Sequence, residues 1–135
     1  MMKMINTQLT TDKVAMSLSI LCVIHCLFVP SFLILTSGIM ALSLDNEFFH
    51  KLIVLLAVPI SIFALSLGYK NHKTHSFLLL GLMGLLILIA AVAIGSEILG
   101  ESLEKTLTVL GSSLVIYVHY MNYKICKETD CNCHN

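Results

Sequence analysis

The chain has 135 residues, of which 57% are hydrophobic and only 12% charged, and its mean hydropathy is +0.90. A soluble domain carries about 25% charged residues, so this balance excludes most soluble classes and fits one integral membrane domain. Eight Lys offset eight Asp and Glu, with no Arg and no Trp. That excludes a basic field for nucleic acid and bidentate Arg clamping of phosphates or carboxylates.

Residues 1–12 are polar and have no apolar core of their own. Val14–Leu35 is an uncharged apolar run, and at about 1.5 Å per residue a helix of this length spans about 30 Å, the thickness of a bilayer's hydrocarbon core. It is too long for a signal-peptide apolar region, and no Ala-x-Ala-like site follows it. Gly38–Glu47 reads as a turn, with Asp45 as N-cap of the second helix. The second run, Phe48–Tyr69, carries His50 near its start and Pro59 inside, where a membrane helix tolerates a kink. Lys70–Ser76 is a basic loop. The third run, Phe77–Ile94, places Gly81, Gly84 and Ala91 where small residues let helices approach closely. Gly95–Lys105 is acidic. The fourth run, Thr106–Tyr123, is weaker, contains His119, and ends among Tyr117, Tyr120 and Tyr123, as interfacial aromatics do.

Four spans with short connections predict an all-α, four-helix transmembrane bundle with up-down topology. Lys3, Lys13, Lys70, Lys73, Lys124 and Lys127 fall on one side, and only Lys51 and Lys105 on the other. The excess of Lys marks the cytoplasmic side, so both termini are expected in the cytoplasm and the localisation is the bacterial inner membrane.

Of the five cysteines, Cys22 and Cys26 lie in the first run, and Cys126, Cys131 and Cys133 in the last ten residues. Disulfide frameworks spread cysteines through loops, so none is read here. Cys22, His25 and Cys26 share one helical face about a turn apart. An ionisable group inside a membrane is a functional-site hypothesis by default. Two thiolates neutralise a divalent cation and select soft or borderline ions such as Hg(II), Cu(I) and Zn(II). His25 is then a third ligand or a proton acceptor. Cys126, Cys131, Cys133 and His134 form a tail suited to soft-cation capture. Other polar residues extend a ladder through the membrane: Glu104 and His50 at the outer side, His119 and Asp12 toward the inner side. His119, lying deep, needs a partner. Ser17 and Ser19 are expected to bond back to carbonyls of their own helix.

The opening Asp12-Lys13-x-x-Met16-Ser17-x-Ser19, the Cys22-x-x-His25-Cys26 motif and Pro30 stand beside His50 after an acidic turn and Glu104…Leu107-Thr108-Val109-Leu110-Gly111. Together they resemble the MerC mercury-resistance membrane protein family over essentially the whole chain. The resemblance implies a MerC-like membrane domain over residues 1–124, a cytoplasmic Cys-rich tail over 125–135, and no enzymatic activity. By it, Cys22 and Cys26 are the intramembrane mercuric-ion pair and the tail cysteines the cytoplasmic pair. Hg(II) would be the transported ion, with no permanently bound cofactor, moving inward by thiolate relay toward a cytoplasmic mercuric reductase or other metal acceptor. This tail has three Cys and a His rather than a simple pair.

Three alternatives compete. A Zn(II) or Cu(I) membrane protein would use the same donors. A four-span thiol–disulfide oxidoreductase needs reactive Cys at the outer surface, where this chain has none. A haem-binding protein would draw axial ligands from His25, His50 and His119.

Overall fold

The structure is a computed structural model that describes residues 2–35, 46–73 and 75–131. It is all-helical over these residues, with α1 Met2–Leu35, α2 Asn46–His72, α3 His75–Leu99 and α4 Glu101–Cys131. The proposed Asp45 cap, Cys133 and His134 lie outside the described residues, and His50 and Cys131 are described only by the helices that carry them.

The helices run longer than the apolar runs alone predict. α1 starts at Met2, so the polar N-terminal segment is helical, and its Gln8 and Asp12 are fully buried. α2 continues through His72, leaving a connection at residues 73 and 74 instead of a longer basic loop. Lys73 ends α2 with φ 52° and donates its N–H to the Tyr69 carbonyl at 2.8 Å, the left-handed closure common at helix C-termini. α3 breaks at Gly95 (φ 71°, ψ 173°), a conformation only glycine adopts without strain. α4 runs to Cys131, so the polar segment after Tyr123 is largely helical as well.

Among the described residues, three segments are long and apolar enough to cross a membrane: Asn6–Phe28, Lys51–Asn71 and His75–Gly95. α4 does not meet that measure, because one of its faces is polar. It packs on α1, α2 and α3, and α2 likewise touches the other three, whereas α1 and α3 make no contact among the described residues.

Burial follows one period. Among the described residues, the buried positions of α1 are Gln8, Asp12, Ala15, Ser19, Cys22 and Cys26; those of α4 include Thr108, Ser112, Val115, His119, Asn122 and Cys126, with Gly111 and Val118 beside them. Both series alternate steps of four and three, the 3.5-residue repeat that keeps one stripe of a helix against its neighbours. α2 follows with Val54, Ala57, Ser61, Ala64 and Gly68. The exposed side chains include Leu55 (70%), Leu86 (64%) and Phe28 (66%). The molecule is apolar outside and partly polar inside, as a bilayer solvent demands.

Glycine sets the closest approach. A Cβ on Gly111 would lie 2.9 Å from Leu88 Cγ and 3.0 Å from the Gly84 carbonyl. α3 and α4 therefore meet backbone to backbone, as small residues permit. Leu65, Leu85, Leu88, Val115 and Val118 fill the apolar core beside this contact.

Candidate functional site

The first part of the site is a thiol pair. α1 is helical throughout this region, so the Cβ atoms of residues four apart stand about 5–6 Å from each other on one face. Cys22 and Cys26 are not disulfide-bonded, and both are buried, at 2% and 7% exposure. Their side chains interact with each other, and Glu104 and Lys105 at the start of α4 lie within electrostatic range of Cys26. His25 sits beside the seam rather than on it and is half-buried. Among the described residues no three of His, Cys, Asp and Glu gather into a metal-binding group. Two neighbouring thiols could hold a soft ion of low coordination number.

The second part is a buried polar cluster at the other end of the seam. Asp12 of α1 and His119 of α4 are completely buried and pair, with His119 Nδ1 2.8 Å from Asp12 Oδ1. Asn122, one turn further along α4, donates its amide to both carboxylate oxygens, at 3.1 and 3.0 Å. The Asp12 carboxylate is thus bonded by two side chains of one helix, Asn122 bridging both of its oxygens. Buried ionisable groups require such compensation. Gly68 of α2 makes room for it, since a Cβ there would overlap the Asn122 amide. One turn beyond Asp12, Gln8 accepts a hydrogen bond from Asn71 of α2, and Cys126 is buried on the same α4 stripe.

The sequence expectations fare unevenly. His119 has the partner its depth requires, and the partner is Asp12. Ser17 bonds back to the Lys13 carbonyl at 2.9 Å, as expected. Ser19 does not: its hydroxyl is buried without a hydrogen-bond partner among the described residues. Cys126, expected in a solvated tail, lies inside the seam at 2% exposure. Glu104 is half-buried near the thiol pair. Haem ligation by His25 together with His119 is not supported. Asp12, paired with His119, is thirteen residues from His25 on α1, about 20 Å of helix rise.

Asn122, Gln8, Asn71, Ser61 and Ser112 were not singled out by sequence. The signal was there: polar residues recur at steps of four and three in α1 and α4, in phase with the cysteines and His119. The glycine that accommodates Asn122 carries no such mark.

An apolar exterior around a seam of thiols, hydroxyls and a buried Asp–His pair is the arrangement of a helical membrane protein. Residues 12–124 match the family model of the MerC mercury resistance protein, and the chain belongs to that family. No curated protein and no solved structure matches it.

Proposed function

We propose that the protein is an inner-membrane mercuric-ion uptake protein in which Cys22 and Cys26 hold Hg(II) within the bilayer. The observation that carries this is the buried, mutually interacting thiol pair on the inward face of α1, in a chain of the MerC mercury resistance family. Mercury–sulfur bonds form as the thiols give up their protons. The resulting two-thiolate complex has no net charge from the ion and its ligands, which removes most of the free-energy barrier to a divalent cation in hydrocarbon.

The four helices are read as an up-down membrane bundle with both termini in the cytoplasm, α4 crossing with its polar stripe turned inward. In that orientation His50 and Glu104 stand at the outer entrance. Asp12, His119 and Cys126 stand toward the inner side, and Cys131, Cys133 and His134 follow as cytoplasmic acceptors. Thiol exchange moves the ion from pair to pair, ending on a cytoplasmic reductase or metal acceptor. The burial of Cys126 supports it as an intermediate station between the first-helix pair and the tail.

The test is mercury X-ray absorption on the full chain with Cys126, Cys131 and Cys133 changed to Ser. Two sulfur neighbours per mercury are expected, falling to one on Cys22→Ser. Oxygen or nitrogen ligation alone would overturn the assignment. The same measurement with Zn(II) or Cu(I) tests the alternative cargo.

A further inference from the structure

Among the described residues, two sets of hydroxyls differ in what they bond. Thr10, Thr11, Ser17, Ser66, Thr106 and Ser113, outside the interior seam, each donate to the carbonyl four residues earlier, at 2.6–2.9 Å. That is the ordinary local use of Ser and Thr in a helix. Ser19, Ser61, Thr108 and Ser112 on the seam are 0–1% exposed, and none of their hydroxyls has a hydrogen-bond partner among the described residues. Nε2 of His119 is in the same condition. Buried polar groups in folded proteins are almost always hydrogen-bonded, to protein or to ordered water. Leaving five of them orphaned would cost an amount comparable to the whole stability of a domain.

The register brings these groups together. Asp12 lies against His119 and Asn122, and Gly68 lies against Asn122. One heptad away along each helix stand Ser19 on α1, Ser112 on α4 and Ser61 on α2, three hydroxyls in one layer. That layer is one turn from Cys22 and about 10.5 Å of helix rise from the Asp12–His119 layer. Between them, α1 contributes Ala15 and α2 Ala64, side chains that end at Cβ, while α4 contributes the larger Val115. The His119 ring uses Nδ1 on Asp12, so Nε2 has to find its partner in this interior. The next titratable group along the seam is Cys126 of α4, and α2 contributes Gly68 and Asn71 to this end.

We propose that Ser19, Ser61 and Ser112 hold internal water that reaches His119 Nε2, making Asp12–His119 a buried proton-binding site connected to the level of the thiols. A buried water makes about three hydrogen bonds, the number that three convergent hydroxyls supply. Water in file also passes a proton: one leaves the hydronium at one end as another bonds to the ring nitrogen at the other, with no net redox change. Any role of that proton in cation passage rests on the function proposed above; the water and the proton site do not.

X-ray radiolytic labelling of the metal-free full chain in lipid nanodiscs tests this, because hydroxyl radicals born from bound water oxidise buried side chains beside it. His119 is expected to be oxidised in the wild type despite its complete burial. Labelling should fall at least fivefold in Ser19→Ala/Ser61→Ala/Ser112→Ala and stay unchanged in the control Ser17→Ala/Ser66→Ala/Ser113→Ala. Ser61→Ala alone, folded by circular dichroism, should lower it at least twofold, which keeps the test open if the triple variant misfolds. An unlabelled His119 in the wild type, or equal labelling in the wild type and the folded seam variants, would overturn the proposal. The samples contain no mercury, so this failure is distinguishable from failure of the transport assignment.

Discussion

Gly68→Ala is the most informative single substitution, because helix propensity and packing predict opposite signs. Ala is favoured over Gly in a helix interior by about 1 kcal/mol. At Gly68, however, the added Cβ falls on the amide of Asn122, which donates to both oxygens of Asp12. The amide must swing away, and the carboxylate loses the bifurcated hydrogen bond from Asn122. A hydrogen bond to a charged group contributes about 1.5–3 kcal/mol, so the gross loss is about 1.5–3 kcal/mol and the net loss about 0.5–2 kcal/mol after the propensity gain. Asn122→Ala removes the same bonds without the clash and should be destabilised similarly. The double variant should be no worse than Asn122→Ala, since the clash has nothing left to displace. Unfolding of the full chain in mixed micelles, followed by far-ultraviolet circular dichroism, gives the four free energies of the cycle. Gly68→Ala at least as stable as the wild type, or strict additivity of the two substitutions, would refute the packing of α2 on this cluster.

Other substitutions separate interior from surface in the same unfolding assay. Asp12→Ala leaves the His119 ring and the Asn122 amide without their buried acceptor and should cost about 3–5 kcal/mol, whereas Asp12→Asn keeps an acceptor and should cost less. Gly111→Ala presses on Leu88 and the Gly84 backbone and should destabilise by about 1–3 kcal/mol. Lys124→Ala removes an exposed pair with Glu128 at 3.9 Å and should change stability by less than about 1 kcal/mol.

Hydropathy made the first three helices legible, because each has a long apolar run. It set their ends less well. The start of α1 and the end of α4 are too polar to read as membrane-associated by composition. They are helical here because Gln8, Asp12, Asn122 and Cys126 all fall on the inward stripe, where they meet partners from other helices or stay buried. Composition also favoured a fourth span more strongly than α4 warrants: its apolar residues share the helix with a polar stripe, which lowers its hydropathy while building the site. The thiol pair was legible from its spacing. The Asp12–His119 pair was legible only in halves, because 107 residues separate its members and one sequence does not say which faces meet. Ser19 departs from the ordinary back-bonding of Ser17, two residues earlier. The two lie on opposite sides of α1, and only Ser17 behaves as an isolated helix would predict.

The most direct test of the central claim is uptake of radioactive Hg(II) by cells producing the full chain, wild type against Cys22→Ser/Cys26→Ser, with matched membrane levels. Loss of uptake in the double variant, with a smaller loss when Cys131 and Cys133 are replaced, is the expected result. Uptake at the wild-type rate without the first-helix thiols would contradict it.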